Sequence, residues 1–248
     1  MKTKKRQSHD VESSTQAHDS SRRDFLKTTA KIAAVAGLAD VGAFAIAQQT
    51  KTKGDKMQAL LLNGAKKFAG SEGRLSATLQ AAAKETLESM GFSVIETIID
   101  KGYDLQEEVQ KIAKSDVLIH QLPAWWMGEP WIVKKYIDEV YIAGAGVLFK
   151  NDGRSRKDDS LKYGSGGLSQ GKKVMLSVTW NAPIEAFTDK NGFFEGLGVE
   201  MVYFHLRKAH EFLGMQVLPT FMCNDVVKNP QVEQYIKDYK AHLRKVLG

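Results

Sequence analysis

The chain has 248 residues, 43% hydrophobic and 26% charged, which suits one large globular domain or two small ones and excludes a fibrous or wholly disordered protein. Its formal charge of +6 sits mostly at the front, where residues 1–47 hold eight Lys and Arg against five Asp and Glu; the remaining 27 against 24 leave +3. With no basic stripe interleaved with aromatics, so mild a charge argues against a nucleic-acid partner.

Residues 1–20 are polar and mixed in charge. Ser21 to Lys27 then reads SRRDFLK, an arginine pair followed by Phe25 and Leu26, and a moderately apolar stretch runs from Ile32 to Ile46. That order matches a twin-arginine export signal. The stretch is interrupted by Gly37, Asp40 and Gly42, and falls short of the roughly 20 apolar residues of a membrane-spanning helix. Ala43-Phe44-Ala45 and Ala45-Ile46-Ala47 offer small-residue cleavage sites. Residues 1–47 are therefore expected to be a signal peptide that sends the chain to the periplasm through the twin-arginine export machinery, with 48–56 a linker and 57–248 the folded domain. Proteins on that route fold before export, many of them around a cofactor, so a bound cofactor is expected.

From Met57 short apolar runs alternate with amphipathic segments, the signature of a parallel sheet wrapped by helices. MQALLLN reads as a fully buried first strand. Leu75, Leu79, Ala82, Ala83, Leu87 and Met90 recur at helical spacing, and Gly91 stands where that helix should stop. FSVIETI is a second strand, Leu105 to Lys114 a short helix and DVLIHQL a third strand. Pro130 suits the first turn of the next helix, whose apolar face is Val133, Tyr136, Ile137 and Val140. A Gly- and charge-rich segment follows from Ala143 to Gly171. KKVMLSVTW is the fourth strand, Asn191 to Leu213 contains a helix, MQVLPTF is a fifth strand despite Pro219, and a last helix spans about Gln231 to Leu247. The expected fold is α/β, a three-layer flavodoxin-like domain with a five-stranded parallel sheet. Cys223, the single cysteine, cannot form an internal disulfide and reads as a small buried residue, and no Cys and His stand at zinc-ligand spacing.

Ligands of open parallel sheets bind at the carboxyl ends of the strands, so the loops there carry the chemistry. The first, NGAKKFAGSEGRLS, ends at a helix start whose free N–H groups favour a phosphate, with Ser71 and Ser76 as hydroxyl donors and Gly73 allowing close approach. It lacks the dinucleotide glycine fingerprint and the P-loop lysine, and a plain helix cap explains it equally well. The second, PAWWMGEP, sets Trp125 and Trp126 between a strand end and a helix start, flat apolar walls for a ring system. The third is Thr179 to Pro183, TWNAP, whose polar groups suit either a ring edge or an ordinary turn. His205 and His210 share no carboxylate-rich sequence context and read as surface or core histidines.

NGAKKFA, PAWWMGEPWIVKKYID, DGRSRKD, KYGSGGL, QGKK, TWNAPIEAFT and LPTF occur in that order, and through them the chain from Met57 to Gly248 resembles the NADPH:quinone reductases of the modulator of drug activity B type. These are relatives of DT-diaphorase among the flavodoxin-like quinone reductases. The resemblance implies FAD rather than FMN, NADPH or NADH as electron donor, a quinone substrate and a homodimer. By position it assigns Ser71, Gly73, Arg74, Leu75, Ser76 and Thr78 to the FAD pyrophosphate, and Pro123, Ala124, Trp125, Trp126 and Met127 with Thr179, Trp180, Asn181 and Ala182 to the isoalloxazine. Tyr163 would contact the cofactor from the long loop. Gly70 and Ser76 stand where the family usually has histidine and asparagine. The reaction so implied is hydride transfer through the flavin in a ping-pong cycle, with no protein nucleophile and no metal. An exported flavodoxin-like electron carrier and an FMN-dependent azo- or nitroreductase are the alternatives on the same fold.

Overall fold

Along β1 (Gln58–Asn63) the side chains divide by parity: Leu60 and Leu62 enter one core, Ala59 and Leu61 the other. A strand apolar on both sides must lie inside a sheet covered on both faces, and β1 does. The computed structural model describes residues 56–248; the signal peptide and nearly all of the linker expected from the sequence lie outside the described residues. β2 (Ser93–Ile98), β3 (Val117–Pro123), β4 (Lys173–Thr179) and an outer strand in two pieces, β5 (Gln216–Val217) and β6 (Phe221–Cys223), complete an all-parallel sheet. Its order is β2-β1-β3-β4-β5, with β6 also beside β4.

The expected fifth strand is thus broken. Val217 pairs with Val174 and Phe221 with Ser177, so four residue steps on the outer strand face three on β4. The extra residue is absorbed around Pro219, which has no N–H to give a ladder and is tolerated because this strand lies at the edge. The Glu200 carboxylate accepts from the Thr220 N–H at 2.7 Å and its hydroxyl at 2.8 Å, holding the step in place.

α1 (Arg74–Ser89) and α7 (Val232–Leu247) cover one face, through Leu79, Ala83 and Leu87 against Tyr235, Tyr239 and Leu243. α2 (Leu105–Lys114), α3 (Trp131–Ala143) and α6 (Phe204–Phe212) cover the other, with Val109, Ile112, Val133, Tyr136 and Leu206 buried. Gly91 ends α1 as expected: at φ 92° it lets its own N–H reach the Glu88 carbonyl and that of Phe92 the Leu87 carbonyl, both at 3.0 Å. The helix expected within 191–213 is two, α5 (Gly198–Val202) and α6, after a short α4 (Glu185–Thr188); they break at Tyr203, whose buried hydroxyl accepts from Trp180 Nε1 at 3.1 Å. Cys223 is fully buried, and that burial pushes its thiol up to about 12, which removes it as a reactive group.

One buried cluster is polar. His210 Nδ1 lies 2.7 Å from the Leu206 carbonyl, an acceptor only, so Nδ1 carries the proton and Nε2 accepts. Tyr141 donates to that Nε2 at 2.7 Å, while His120 Nε2 stands 3.0 Å from it and His120 Nδ1 has no partner. With Nε2 of the neutral His120 ring as donor, two donors converge on one lone pair, and the unprotonated Nδ1 of His120 is a buried acceptor that no donor meets. Burial holds both rings below the usual histidine range, His210 at about 4, and the charge of His210 lowers His120 further. The unfolded chain therefore binds more protons than the native one between about pH 6.5 and about 4, so this stability is whole above about 6.5 and drains away as pH falls. Thermal melting between pH 7.5 and 4.5 should show a falling Tm, and His120→Leu, which removes the orphan nitrogen and the second donor, should flatten that slope. Equal slopes for the two proteins would refute the account.

Candidate functional site

At the carboxyl end of β1 the chain must pass α3 closely. A Cβ on Gly64 would stand 2.3 Å from Val133 Cγ2, and the Gly64 N–H donates to the Gln121 carbonyl at 2.9 Å, tying this loop to β3. Phe68 and Ser71 then close a two-residue hairpin with bonds of 3.1 and 2.9 Å, and its central residues Ala69 and Gly70 have φ of 47° and 84°. Positive φ at both centres is the mirror-image turn, which explains glycine at position 70. Glu72 is paired with Lys67 at 3.0 Å, so its charge is offset.

Gly73, at φ 68°, is the N-cap of α1, and no side chain caps the helix. The first bond into the helix is Ala77 N–H to Gly73 carbonyl at 3.1 Å, which leaves the N–H groups of Arg74, Leu75 and Ser76 without intrahelical acceptors. Uncapped donors at the positive end of a helix dipole, beside the exposed Arg74, suit a phosphate. Ser71 and Gly73 frame this end, the Ser71 Oγ lying 3.4 Å from the Gly73 nitrogen. Leu75 is half-buried and Ser76 buried under the first turn, while Thr78 spends its hydroxyl on the Arg74 carbonyl at 3.0 Å. Backbone donors therefore outnumber free hydroxyls.

The loop after β3 repeats the same turn. Trp125 and Gly128 exchange bonds of 2.9 and 3.2 Å around Trp126 and Met127, at φ 44° and 67°. Neither is glycine or asparagine, so the loop holds two side chains in a backbone region costing about 1–2 kcal/mol each. The two indoles part company: Trp125 packs on Phe68 at 4.9 Å and on Trp131 at 5.4 Å, while Trp126 is 97% exposed. The flat apolar wall is built from Phe68, Trp125 and Trp131, and the expected pair of adjacent tryptophan walls is not formed. Met127 is half-exposed, Pro123 pairs with Thr179 at the ends of β3 and β4, and the Ala124 N–H donates to the Thr179 carbonyl at 2.9 Å.

After β4 the polar groups serve the chain first. Trp180 was expected at the ring but is buried, edge-on to Phe187 and Phe194; its Nε1 serves Tyr203, its N–H the Cys223 carbonyl at 2.8 Å and its carbonyl the Val226 N–H at 3.0 Å. Ala182 accepts from the Asp225 N–H at 3.0 Å. Asn181 Oδ1 accepts from the N–H groups of Val227 and Lys228 at 3.2 and 3.3 Å, which fixes the amide and turns its NH2 outward as a donor. Tyr163 also departs from expectation. It packs on Phe212 at 5.5 Å with Arg154 over its ring at 5.7 Å, at the C-terminal end of α6, where the chain turns back toward the amino ends of the strands. Within one chain it lies apart from the strand-end loops.

Two further features were missed by the sequence reading. Phe68 and Trp131 complete the aromatic wall, and the signal was present, since both stand inside the stretches NGAKKFA and PAWWMGEPW. The other is an ion pair, with the nearly buried Glu129 carboxylate 3.0 Å from Nε2 of the half-exposed His205. Loop and helix meet there across 76 residues of chain, a distance no local pattern spans. Burial raises the Tyr203 hydroxyl above its ordinary range, and the Glu129 charge adds to the shift.

The strain in the second hairpin is testable. Trp126→Asn combined with Met127→Gly supplies the residues this turn favours, and should raise the stability of the ligand-free protein by roughly 1–2 kcal/mol in urea unfolding. A loss of stability would show that the two exposed side chains hold the loop in place.

Residues 57–247 match the family described as Flavodoxin-like fold. The chain is 57% identical over 192 residues, 77% of this chain and 100% of the relative, to the NADPH:quinone oxidoreductase MdaB of Haemophilus influenzae. It is 50% identical, over 77% of this chain and 98% of the relative, to an uncharacterised protein of Schizosaccharomyces pombe. Among solved structures, the NAD(P)H:quinone oxidoreductase of Methanothermobacter marburgensis aligns with a TM-score of 0.55 at 15% identity, over 75% of this chain and 97% of that one. The general stress protein 14 of Treponema denticola, solved with FMN, aligns with a TM-score of 0.54 at 20% identity, over 76% and 98%. Parity-sorted strands, the 2-1-3-4-5 order and 57% identity over the whole of that relative agree: the chain belongs to the flavodoxin-like fold family, in the branch that contains the quinone oxidoreductase MdaB.

Proposed function

We propose that this chain is a flavin-dependent NADPH:quinone oxidoreductase that works as a homodimer and is exported to the periplasm by the twin-arginine route. The observation that carries the reading is the pairing, at one end of the sheet, of an uncapped helix start with an aromatic wall. Three unclaimed N–H groups call for a phosphate, and Phe68, Trp125 and Trp131 beside them call for a flat apolar ring. A flavin nucleotide is both, and identity to MdaB over that protein's whole length supports the substrate class.

Bound there, a flavin would supply two-electron chemistry between NADPH and a quinone. The chain's residues bind and orient. Arg74, Leu75 and Ser76 would hold phosphate oxygens with backbone donors, Trp125 would limit one side of the ring, and the outward amide of Asn181 would donate to a polar ring edge. Fixed donors of this kind stabilise charge that develops on a ring as it is reduced. The Phe68 and Trp131 rings, in edge contact at 5.0 Å, would extend that apolar wall. We favour FAD over FMN on the family resemblance, and a second copy of the chain as cover for the exposed Trp126 and the half-exposed Met127. SRRDFLK supports export.

Purified protein should be yellow, release a cofactor with the mass of FAD, and oxidise NADPH with menadione in the parallel-line pattern of a ping-pong cycle. FMN in the released fraction would correct the cofactor, and colourless folded protein indifferent to both flavins would end the proposal. Replacing Arg22 and Arg23 together by lysine should keep the chain in the cytoplasm on fractionation, and continued export would dismiss the twin-arginine reading.

A further inference from the structure

The Glu129–His205 pair is unexplained by folding alone. Its carboxylate is 8% exposed, with both oxygens directed at one partner, Nε2 of His205, at 3.0 and 3.2 Å. Taking a carboxylate out of water is costly, and here the compensation comes from an imidazole that is itself 51% exposed. A tie designed only to fasten α6 to the loop would gain more from an arginine, which offers two parallel donors. What a histidine offers instead is a second nitrogen. A carboxylate accepts and does not donate, so Nε2 carries a proton toward Glu129, and Nδ1 is left without a partner on the open side. The pair joins the hairpin loop after β3 to the start of α6, with Tyr203 and half-exposed Trp131 and Phe204 close by in the chain.

We propose that His205, oriented by Glu129, is the group that delivers the proton to the quinone. This rests on the quinone reductase reading above. Reduction of a quinone to a hydroquinone takes a hydride and a proton. A bound reduced flavin would supply the hydride, giving up its own bond to that hydrogen as one O–H bond forms and the second quinone oxygen is left as an oxyanion; the proton for that oxyanion comes from Nδ1 of His205 in its imidazolium form. The Nδ1–H bond breaks, an O–H bond forms on the quinone oxygen, and His205 is left neutral with its remaining proton on Nε2 facing Glu129. Solvent then restores the lost proton, which the half-exposed ring can take up directly. Glu129 is a positioning residue: it fixes which nitrogen faces the substrate.

Ferricyanide tests this because it takes electrons one at a time and needs no proton. The flavin-loaded wild type, His205→Gln and Glu129→Gln are compared for kcat with menadione and with ferricyanide, NADPH being the donor in each. Proton donation by a placed side chain contributes about 10²–10⁴-fold, so His205→Gln should raise the ratio of ferricyanide to quinone turnover at least about tenfold, with Glu129→Gln raising it less. The loss should lie in kcat for quinone rather than in KM. Independently of turnover, ¹⁵N chemical shifts of the His205 ring should identify Nε2 as the nitrogen bonded to Glu129, and that signature should be lost in Glu129→Gln. Variants that melt at lower temperature while keeping the wild-type ratio would reduce the pair to a structural tie and overturn the inference. A bond to Glu129 made through Nδ1 would overturn it too. Wild type that reduces ferricyanide but no quinone would instead sink the reading on which the inference stands.

Discussion

The crevice exists because the helices that follow β1 and β3 leave toward opposite faces of the sheet. α1 joins the core of α7 and α3 joins that of α2 and α6, so the two helix starts diverge at the strand ends. The gap is held at fixed width by the β1–β3 ladder and by the single bond from Gly64 to Gln121, at a position where any side chain would collide with α3. Everything at the candidate site is arranged on the rims of that gap. On one rim lies the uncapped start of α1, on the other the strained hairpin of Trp126 and Met127.

The rims are built by repetition. Two hairpins of the same mirror-image class, one after β1 and one after β3, bring Phe68 against Trp125, so that two loops distant in sequence support each other through rings rather than through backbone. One of them uses alanine and glycine at its centre. The other forces a tryptophan and a methionine into the same backbone region and leaves the tryptophan in solvent, a costly arrangement with no benefit to the isolated fold. Strain concentrated at the mouth of a crevice marks a surface shaped for a ligand or a partner.

Much of the fold was legible because the periodicities were clean. Leu60, Leu62, Ala59 and Leu61 announced a doubly buried strand, and Leu79, Ala83 and Leu87 a helix ending at Gly91. The fifth strand was legible in extent but not in continuity: Pro219 was visible, whereas the extra residue that lets the strand step around it is a matter of register with β4. The layout of the candidate site was legible where it lies in backbone and in locally clustered aromatics. It failed where orientation decides. Trp180 and Trp126 look alike in sequence, yet one ring is sealed in the core by Tyr203 and the other is in water. Glu129 and His205 could not be joined without the third dimension, because the contact depends on how α6 is laid back across the sheet.

The step at Pro219 has a consequence beyond local geometry. The outermost strand of an open sheet presents a row of unsatisfied peptide groups, and a straight one is a template on which a neighbouring chain can stack. Here that row is cut into a two-residue and a three-residue piece, offset by the added residue and lacking one donor outright. Fibril growth needs an uninterrupted run of matching groups, and this margin offers none, so this edge of the sheet is protected against edge-on polymerisation by the same kink that keeps β6 beside β4.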